Sequence, residues 1–397
     1  MEVKEQDEME LYWQWLCSIP GLYGPQVKSL TACFGSPKAV YEAPEEELNL
    51  WKKVGNHWIF RLMSFRERYD VQDTAHKLEK QGINFISRSH CAFPVKLKNL
   101  ADCPAGLFFR GRLPEPEQAA VAVVGARRCS GYGKVMAEQL GETLAKAGVQ
   151  VISGLALGID GIAQRRTVEA GGVSFGIMGC GVDQCYPQEH FELYRSVTAH
   201  GGIISEYPPG TPPLRAHFPQ RNRIISGLAD AVVGVEAREK SGSLITADIA
   251  LEQGKDVYAV PGRSTDLLSG GCNRLIAQGA GLILSPEDLL ENLKIEGKIE
   301  RKKATISVKT RKEKNLSLAP EEELVYSYLD LLPEGLEKIA AESGLSVTRT
   351  AGILLGLQLA GLAEEISKNQ YVRCEVTDAS AGGEEQISIS SGSQSLI

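Results

Sequence analysis

The sequence has no apolar run that approaches the roughly 20 residues a membrane-spanning helix needs. Its apolar stretches are short and are broken by glycine or charge, so no membrane segment is expected. The first ten residues, Met1 to Glu10, are acidic and polar and lack the basic start and apolar core of a signal peptide, which points to a cytoplasmic protein. There is no CxxC pair. The nine cysteines are scattered and odd in number, which fits free thiols in a reducing compartment better than a disulfide framework. Histidine is scarce, at six residues. Cys180, Cys185 and His190 are spaced unlike any common zinc motif, so no metal is expected. No histidine accompanies a serine or cysteine nucleophile in a recognisable elbow, and no catalytic residues are assigned. Net charge is -7, a weak argument against a nucleic-acid partner.

What is present is ordinary globular composition, 43% hydrophobic and 23% charged over 397 residues. That length predicts two to four domains. Residues 1–80 read as an N-terminal helical domain holding all four tryptophans. Inside it, Ile19-Pro20-Gly21-Leu22-Tyr23-Gly24-Pro25 is a tight turn between two apolar-periodic segments, a helical hairpin. Such a hairpin can offer backbone N–H groups to a DNA phosphate, but a packing or dimerising module is the simpler reading. Residues 81–117 read as connecting strands and turns.

Residues 118–293 repeat one pattern: apolar run, glycine-rich turn, amphipathic helix. The runs are Val121–Val124, Val149–Ser153, Val173–Met178, Gly202–Ser205, Ala231–Val235, Asp256–Val260 and Gly281–Leu284. Continuous apolar runs alternating with helices mean parallel strands buried on both faces. The expected fold class is therefore α/β, a Rossmann-like doubly wound parallel sheet, with ligands bound at the glycine turns after the strands. Residues 294–318 form a basic linker; Lys294 to Lys314 holds nine Lys or Arg against three Glu. Residues 319–375 predict helices over Pro320–Leu331, from Glu334-Gly335 through Leu336–Ser343, and over Val347–Ala360 with Ser346 as N-cap, then two short strands in Ala363–Cys374. That is a winged-helix pattern. Residues 376–397, Ser/Gly-rich without Lys or Arg, read as a disordered tail.

Four stretches of the core carry chemistry. The first is Val123-Val124-Gly125-Ala126-Arg127-Arg128-Cys129-Ser130-Gly131-Tyr132-Gly133-Lys134. It departs from the G-x-G-x-x-G dinucleotide pattern, and Val135 stands where a P-loop needs Ser or Thr. Two arginines with no acid from Ala119 to Ala137 favour phosphate binding at Gly125, Arg127, Arg128 and Gly131 over a grip on adenosine ribose. The second is Ser153-Gly154-Leu155-Ala156-Leu157-Gly158-Ile159-Asp160-Gly161. Here Gly154 is counted with the binding residues, and Asp160 reads as a helix cap with a catalytic acid as the sharper alternative. The third is Arg215-Ala216-His217-Phe218-Pro219-Gln220-Arg221-Asn222-Arg223. Arginines around one aromatic, with no acid between Leu214 and Leu228, suit base stacking plus backbone contacts to a single strand. Arg215, Phe218, Arg221, Asn222 and Arg223 are its candidates, with Arg223 and Phe218 also readable as structural. The fourth places Ser241, Gly242 and Ser243 at a helix start after a strand, either an anion cradle or a simple cap.

These stretches, in order, together with Ile204-Ser205-Glu206-Tyr207-Pro208-Pro209-Gly210 and Pro261-Gly262, resemble the DNA-processing protein A (DprA, also Smf) family. The resemblance covers the whole core and extends to the Ile19–Pro25 hairpin, read as a helix-hairpin-helix or SAM-like domain, and to the C-terminal winged helix. It implies a non-enzymatic, homodimeric single-stranded-DNA-binding protein of natural transformation. Such a protein protects incoming strands, loads RecA recombinase onto them and needs no cofactor. It implies that Gly125-Ala126-Arg127 grips phosphates and that Arg215, Phe218 and Arg221-Asn222-Arg223 line the same pocket. Two departures stand out: Ala126 replaces a frequent hydroxyl residue, and Gln164 stands where the family often has His. The competing expectation is a nucleotide-processing enzyme on the same scaffold. A third, a duplex-binding regulator built on Val347–Ala360, is weakened because Arg349 is that helix's only basic residue.

Overall fold

The computed structural model describes residues 2–49, 56–295, 318–330 and 333–374. Most of the basic linker and the whole C-terminal tail lie outside the described residues. The chain divides into two units, Met1–Ala304 and Thr305–Ile397.

The first unit is built on a nine-stranded sheet. Its strands are β1 (Asn84–Ser87), β2 (Gly106–Gly111), β3 (Ala120–Val124), β4 (Gln150–Ser153), β5 (Ser174–Ile177), β6 (Gly202–Ser205), β7 (Ala231–Gly234), β8 (Asp256–Ala259) and β9 (Gly281–Leu282). The order is β1-β2-β6-β5-β4-β3-β7-β8-β9. From β6 to β9 every neighbouring pair is parallel. β3, β4, β5, β6 and β7 are buried at every position, which is why they read as unbroken apolar runs. All seven expected strands form, each within a residue or two of its apolar run. The segment read as a connection contributes more than that. β2 pairs antiparallel with β6 and β1 with β2, so both extend the sheet.

The strand order runs outward from β3 to β6 on one side and from β7 to β9 on the other. β3 and β7 therefore flank a topological switch point, where this fold leaves a crevice at the carboxyl ends of its strands. The N-terminal helices begin with Glu2–Ser18 and Gly24–Phe34, joined by the expected turn. They share an apolar core with the sheet, where Trp15 and Leu16 cluster with Phe108, Met178 and Ile203.

The second unit has helices Pro320–Ser327, Leu336–Ser343 and Val347–Leu359, and a three-stranded antiparallel sheet of β10 (Glu334–Gly335), β11 (Ala363–Ser367) and β12 (Gln370–Arg373) in the order β10-β12-β11. Val325, Ile339, Leu354 and Leu357 are in its core. Ser346 caps the third helix, accepting from the Arg349 N–H. The first helix stops short of the expected Leu331. Pro333 lies just beyond, and the residue before a proline is disfavoured in helical conformation. Glu334-Gly335 pairs with Tyr371 and Gln370 as a strand, and Gly335 is also the N-cap of the second helix, which spans Leu336–Ser343 as expected.

Candidate functional site

The site forms where the turns after β3, β4 and β7 converge with the helix His217–Leu228. After β3 the chain runs through Gly125 to Ser130, the N-cap of helix Gly131–Lys146; the Ser130 hydroxyl accepts from the Gly133 N–H. Glu236, just past β7, accepts from the Ser130 N–H at 2.9 Å and its hydroxyl at 2.5 Å. A Cβ on Gly133 would stand 2.3 Å from that carboxylate, so glycine is what lets the cap close. After β4 the chain reaches Gly158, the N-cap of helix Ile159–Glu169. Gly158 has φ +76°, and a Cβ there would meet the Ala126 carbonyl at 2.2 Å. The two turns therefore touch backbone to backbone, and the Ile159 N–H donates to Ala126 O at 3.2 Å.

Asp160 is not a cap, because the helix already has Gly158 in that position. Its carboxylate receives the Gly125 N–H at 3.3 Å and the Gly154 N–H at 3.2 Å, tying the two glycine turns together. Arg221 is buried beside it and donates from Nη1 to Gly154 O at 3.1 Å and to Ile177 O. Burial pushes Asp160 above the ordinary carboxylate value, with Arg221 opposing the shift. Burial also pulls Arg221 down to about 10, against the pull of Asp160, which leaves it charged at neutral pH. Both groups therefore hold the floor of the site. Gly154 belongs to the same floor, since its N–H and carbonyl are both taken. Gln164 is buried there too, and it accepts from the Leu155 N–H at 2.9 Å and donates to Phe175 O at 3.1 Å.

Above this floor lies a cleft of about 800 Å³. Phe218 is half-buried in its wall, with the Arg127 guanidinium 5.8 Å and the Arg221 guanidinium 5.7 Å from its ring centroid. Tyr186 lies against the same ring, centroids 5.4 Å apart. Its neighbour His217 is buried and stacks on Tyr207 at 4.0 Å, away from any role as a free base. Across the cleft, Ser241 caps the eleven-residue helix Gly242–Glu252 by accepting from the Ser243 N–H. Asn222 Nδ2 reaches Gly242 O at 3.5 Å. The helix start and its dipole thus add a site favourable to anions. Arg127, Arg128, Arg215, Arg221, Arg238 and Lys240 line the cleft against one carboxylate, Asp160. Among the described residues, no ion pair engages Arg127, Arg128, Arg215, Arg238 or Lys240, all of them exposed.

Of the expected residues, the cleft brings together Gly125, Arg127, Arg128, Arg215, Phe218, Arg221, Asn222, Ser241, Gly242 and Ser243. Gly131 lies outside it, exposed at the start of its helix. Arg223 is a correction. Its Nε meets Asp102 Oδ2 at 3.2 Å and its Nη2 meets Glu206 Oε2 at 2.5 Å, in a separate cleft. Each helical residue turns about 100° from the last, so a run of three cannot share one face. Sequence reasoning missed Tyr186, Arg238 and Lys240. The two cations stand just before Ser241 on the chain, where Glu236 and Glu239 offset their charge in the sequence.

The fold and this cleft define a Rossmann-like α/β protein whose switch-point crevice is cationic and walled in part by aromatics. A family model described as DNA recombination-mediator protein A matches residues 84–294. The chain is 38% identical over 282 residues to protein Smf of Escherichia coli (strain K12), covering 71% of this chain and 74% of that protein. It is 43% identical over 215 residues to DNA processing protein DprA of Bacillus subtilis (strain 168), covering 54% and 72%. The crystal structure of DNA processing protein A from Streptococcus pneumoniae superposes with a TM-score of 0.60 at 33% identity, covering 71% of this chain and 96% of that one. The chain belongs to the DNA recombination-mediator protein A (DprA/Smf) family.

Proposed function

We propose that the protein binds single-stranded DNA in the cleft at the ends of β3, β4 and β7, without catalysis. One observation carries the reading: five exposed cations, none of them engaged by an ion pair among the described residues, line the cleft that holds the Phe218–Tyr186 ring pair. Arginines and lysines attract the backbone irrespective of sequence, and aromatic rings stack unpaired bases that a duplex keeps hidden. Family membership supports the same polymer. In this reading the protein acts as a homodimer in natural transformation, protects incoming strands and loads RecA recombinase onto them. The second unit is a winged helix in an auxiliary, protein-contacting role. The test is a gel shift of the purified chain on matched single- and double-stranded oligonucleotides, coupled to a recombinase-loading readout. Tight single-strand binding with stimulated filament formation is expected. Equal or stronger duplex binding contradicts the proposal.

A further inference from the structure

Glu236 precedes Arg238 and Lys240 on the chain, yet it is only 3% exposed and lies outside the cleft lining. Among the described residues no ion pair engages it. A buried charge is costly unless it is hydrogen-bonded, and here both bonds come from one residue. Oε2 accepts from the Ser130 N–H at 2.9 Å and Oε1 from the Ser130 hydroxyl at 2.5 Å. Ser130 thus offers two donors, and its partner must present two acceptor oxygens. An ionised carboxylate does so; an amide presents one acceptor and one donor group.

The backbone on each side of Glu236 is held. The Val235 N–H donates to Val124 O at 3.1 Å and the Ala237 N–H to Leu268 O at 2.7 Å. The arginine turn is held only at its ends. Ala126 O accepts from the Ile159 N–H at one end, and Ser130 meets Glu236 at the other. Between them, no hydrogen bond among the described residues engages Arg127 or Arg128. Arg127, Arg128, Arg238 and Lys240 are like charges around one cleft, and they repel one another. Glu236 joins the segment carrying the first two to the segment carrying the last two.

We propose that Glu236 is a positioning residue for strand binding: through Ser130 it fixes the Arg127–Arg128 turn against the Arg238–Lys240 segment before a strand arrives. The inference rests on the single-strand reading of the cleft and assigns its preorganisation to one buried anion. Two effects of that anion have opposite signs. As a bare charge beside a phosphate site it opposes a polyanion, so its removal would tighten binding. As a tie it spares the strand the cost of ordering two arginine side chains, so its removal weakens binding. The cations of the cleft are exposed, so water and salt screen the first effect and leave the second in force.

The experiment is fluorescence anisotropy of the full chain on oligothymidine across a range of salt, with thermal melts of each free protein to establish that it is folded. Glu236→Gln should weaken binding about tenfold at every salt concentration and keep the wild-type salt slope, because the number of phosphates contacted is unchanged. Gly133→Ala leaves every charge in place, but its Cβ would stand 2.3 Å from Glu236 Oε2 and displace the carboxylate. It should weaken binding in the same way, and it tests the tie even if Glu236→Gln does not fold. Ser130→Ala combined with Glu236→Gln should cost less than the two effects summed, since both break one tie. Tighter binding by Glu236→Gln overturns the proposal. So does wild-type affinity in Gly133→Ala, or strict additivity of the Ser130 and Glu236 effects. A wild-type chain that does not bind oligothymidine at all removes the single-strand reading itself, whereas variants that bind like the wild type remove only the positioning role.

Discussion

Replacing Arg127 with alanine should change the salt dependence of binding, not only its strength. Five exposed cations line the cleft, namely Arg127, Arg128, Arg215, Arg238 and Lys240, and no ion pair among the described residues engages them. If each neutralises one phosphate, the log–log slope of affinity against salt is about -3.5, taking roughly -0.7 per contact for a single strand. Raising salt fourfold, from about 50 to 200 mM, should then weaken binding about 100-fold. Arg127→Ala removes one contact, so the slope should flatten to about -2.8 and the same step should cost only about 50-fold. Arg127 also lies over Phe218. Its loss should therefore weaken binding at every salt concentration, and equally for oligothymidine and mixed sequence, because phosphates carry no sequence information. Anisotropy titrations of both proteins across that salt range give the slopes. A wild-type slope shallower than about -1, or one unchanged in the variant, refutes the phosphate assignment.

Phe218→Ala should cost about 1–3 kcal/mol of single-strand affinity if one base stacks there; a fall in thermal stability with unchanged affinity would return Phe218 to a packing role. Asp160→Asn keeps an acceptor for only one of the two backbone N–H groups, sets an amide NH2 against the other and leaves Arg221 without its counter-charge. Denaturant unfolding should report a loss of about 1–3 kcal/mol, and an unaltered midpoint would contradict the tie between the two turns. Burial holds the His217 imidazole below its ordinary value. As pH falls below about 6.5 the unfolded chain therefore takes up this proton first, so the stability contributed by the neutral ring is present above that pH and is lost below it. His217→Phe, which keeps a ring against Tyr207, should remove that part of the acid slope in melting temperature; an identical slope in both proteins would count against a neutral buried ring.

The sheet was legible because its strands are buried on both faces and so lack alternation. Ala120–Val124 and Ala231–Gly234 show this most clearly. The place of β1 and β2 in it was not legible. β2 pairs with β6, where Arg110 faces Ile203, a partner far along the chain that no local pattern encodes. The arginine and glycine turns of the cleft announced themselves by composition. Their assembly did not, since it depends on Asp160 bridging Gly125 to Gly154 and on Arg221 reaching back to Ile177. Arg223 misled because adjacent helical residues point to different neighbours. Tyr186 was silent because only the folded loop after β5 lays it on Phe218.

The central claim is that an unpaired strand lies in the crevice between β3 and β7. Photo-cross-linking of the full chain to an oligonucleotide carrying 5-iodouracil, mapped by mass spectrometry, tests it most directly. Adducts on Phe218 and Tyr186, lost when unlabelled oligothymidine competes, are the predicted result. Adducts confined to residues 318–374 or to the N-terminal helices, with the Phe218 peptide unmodified, would contradict it.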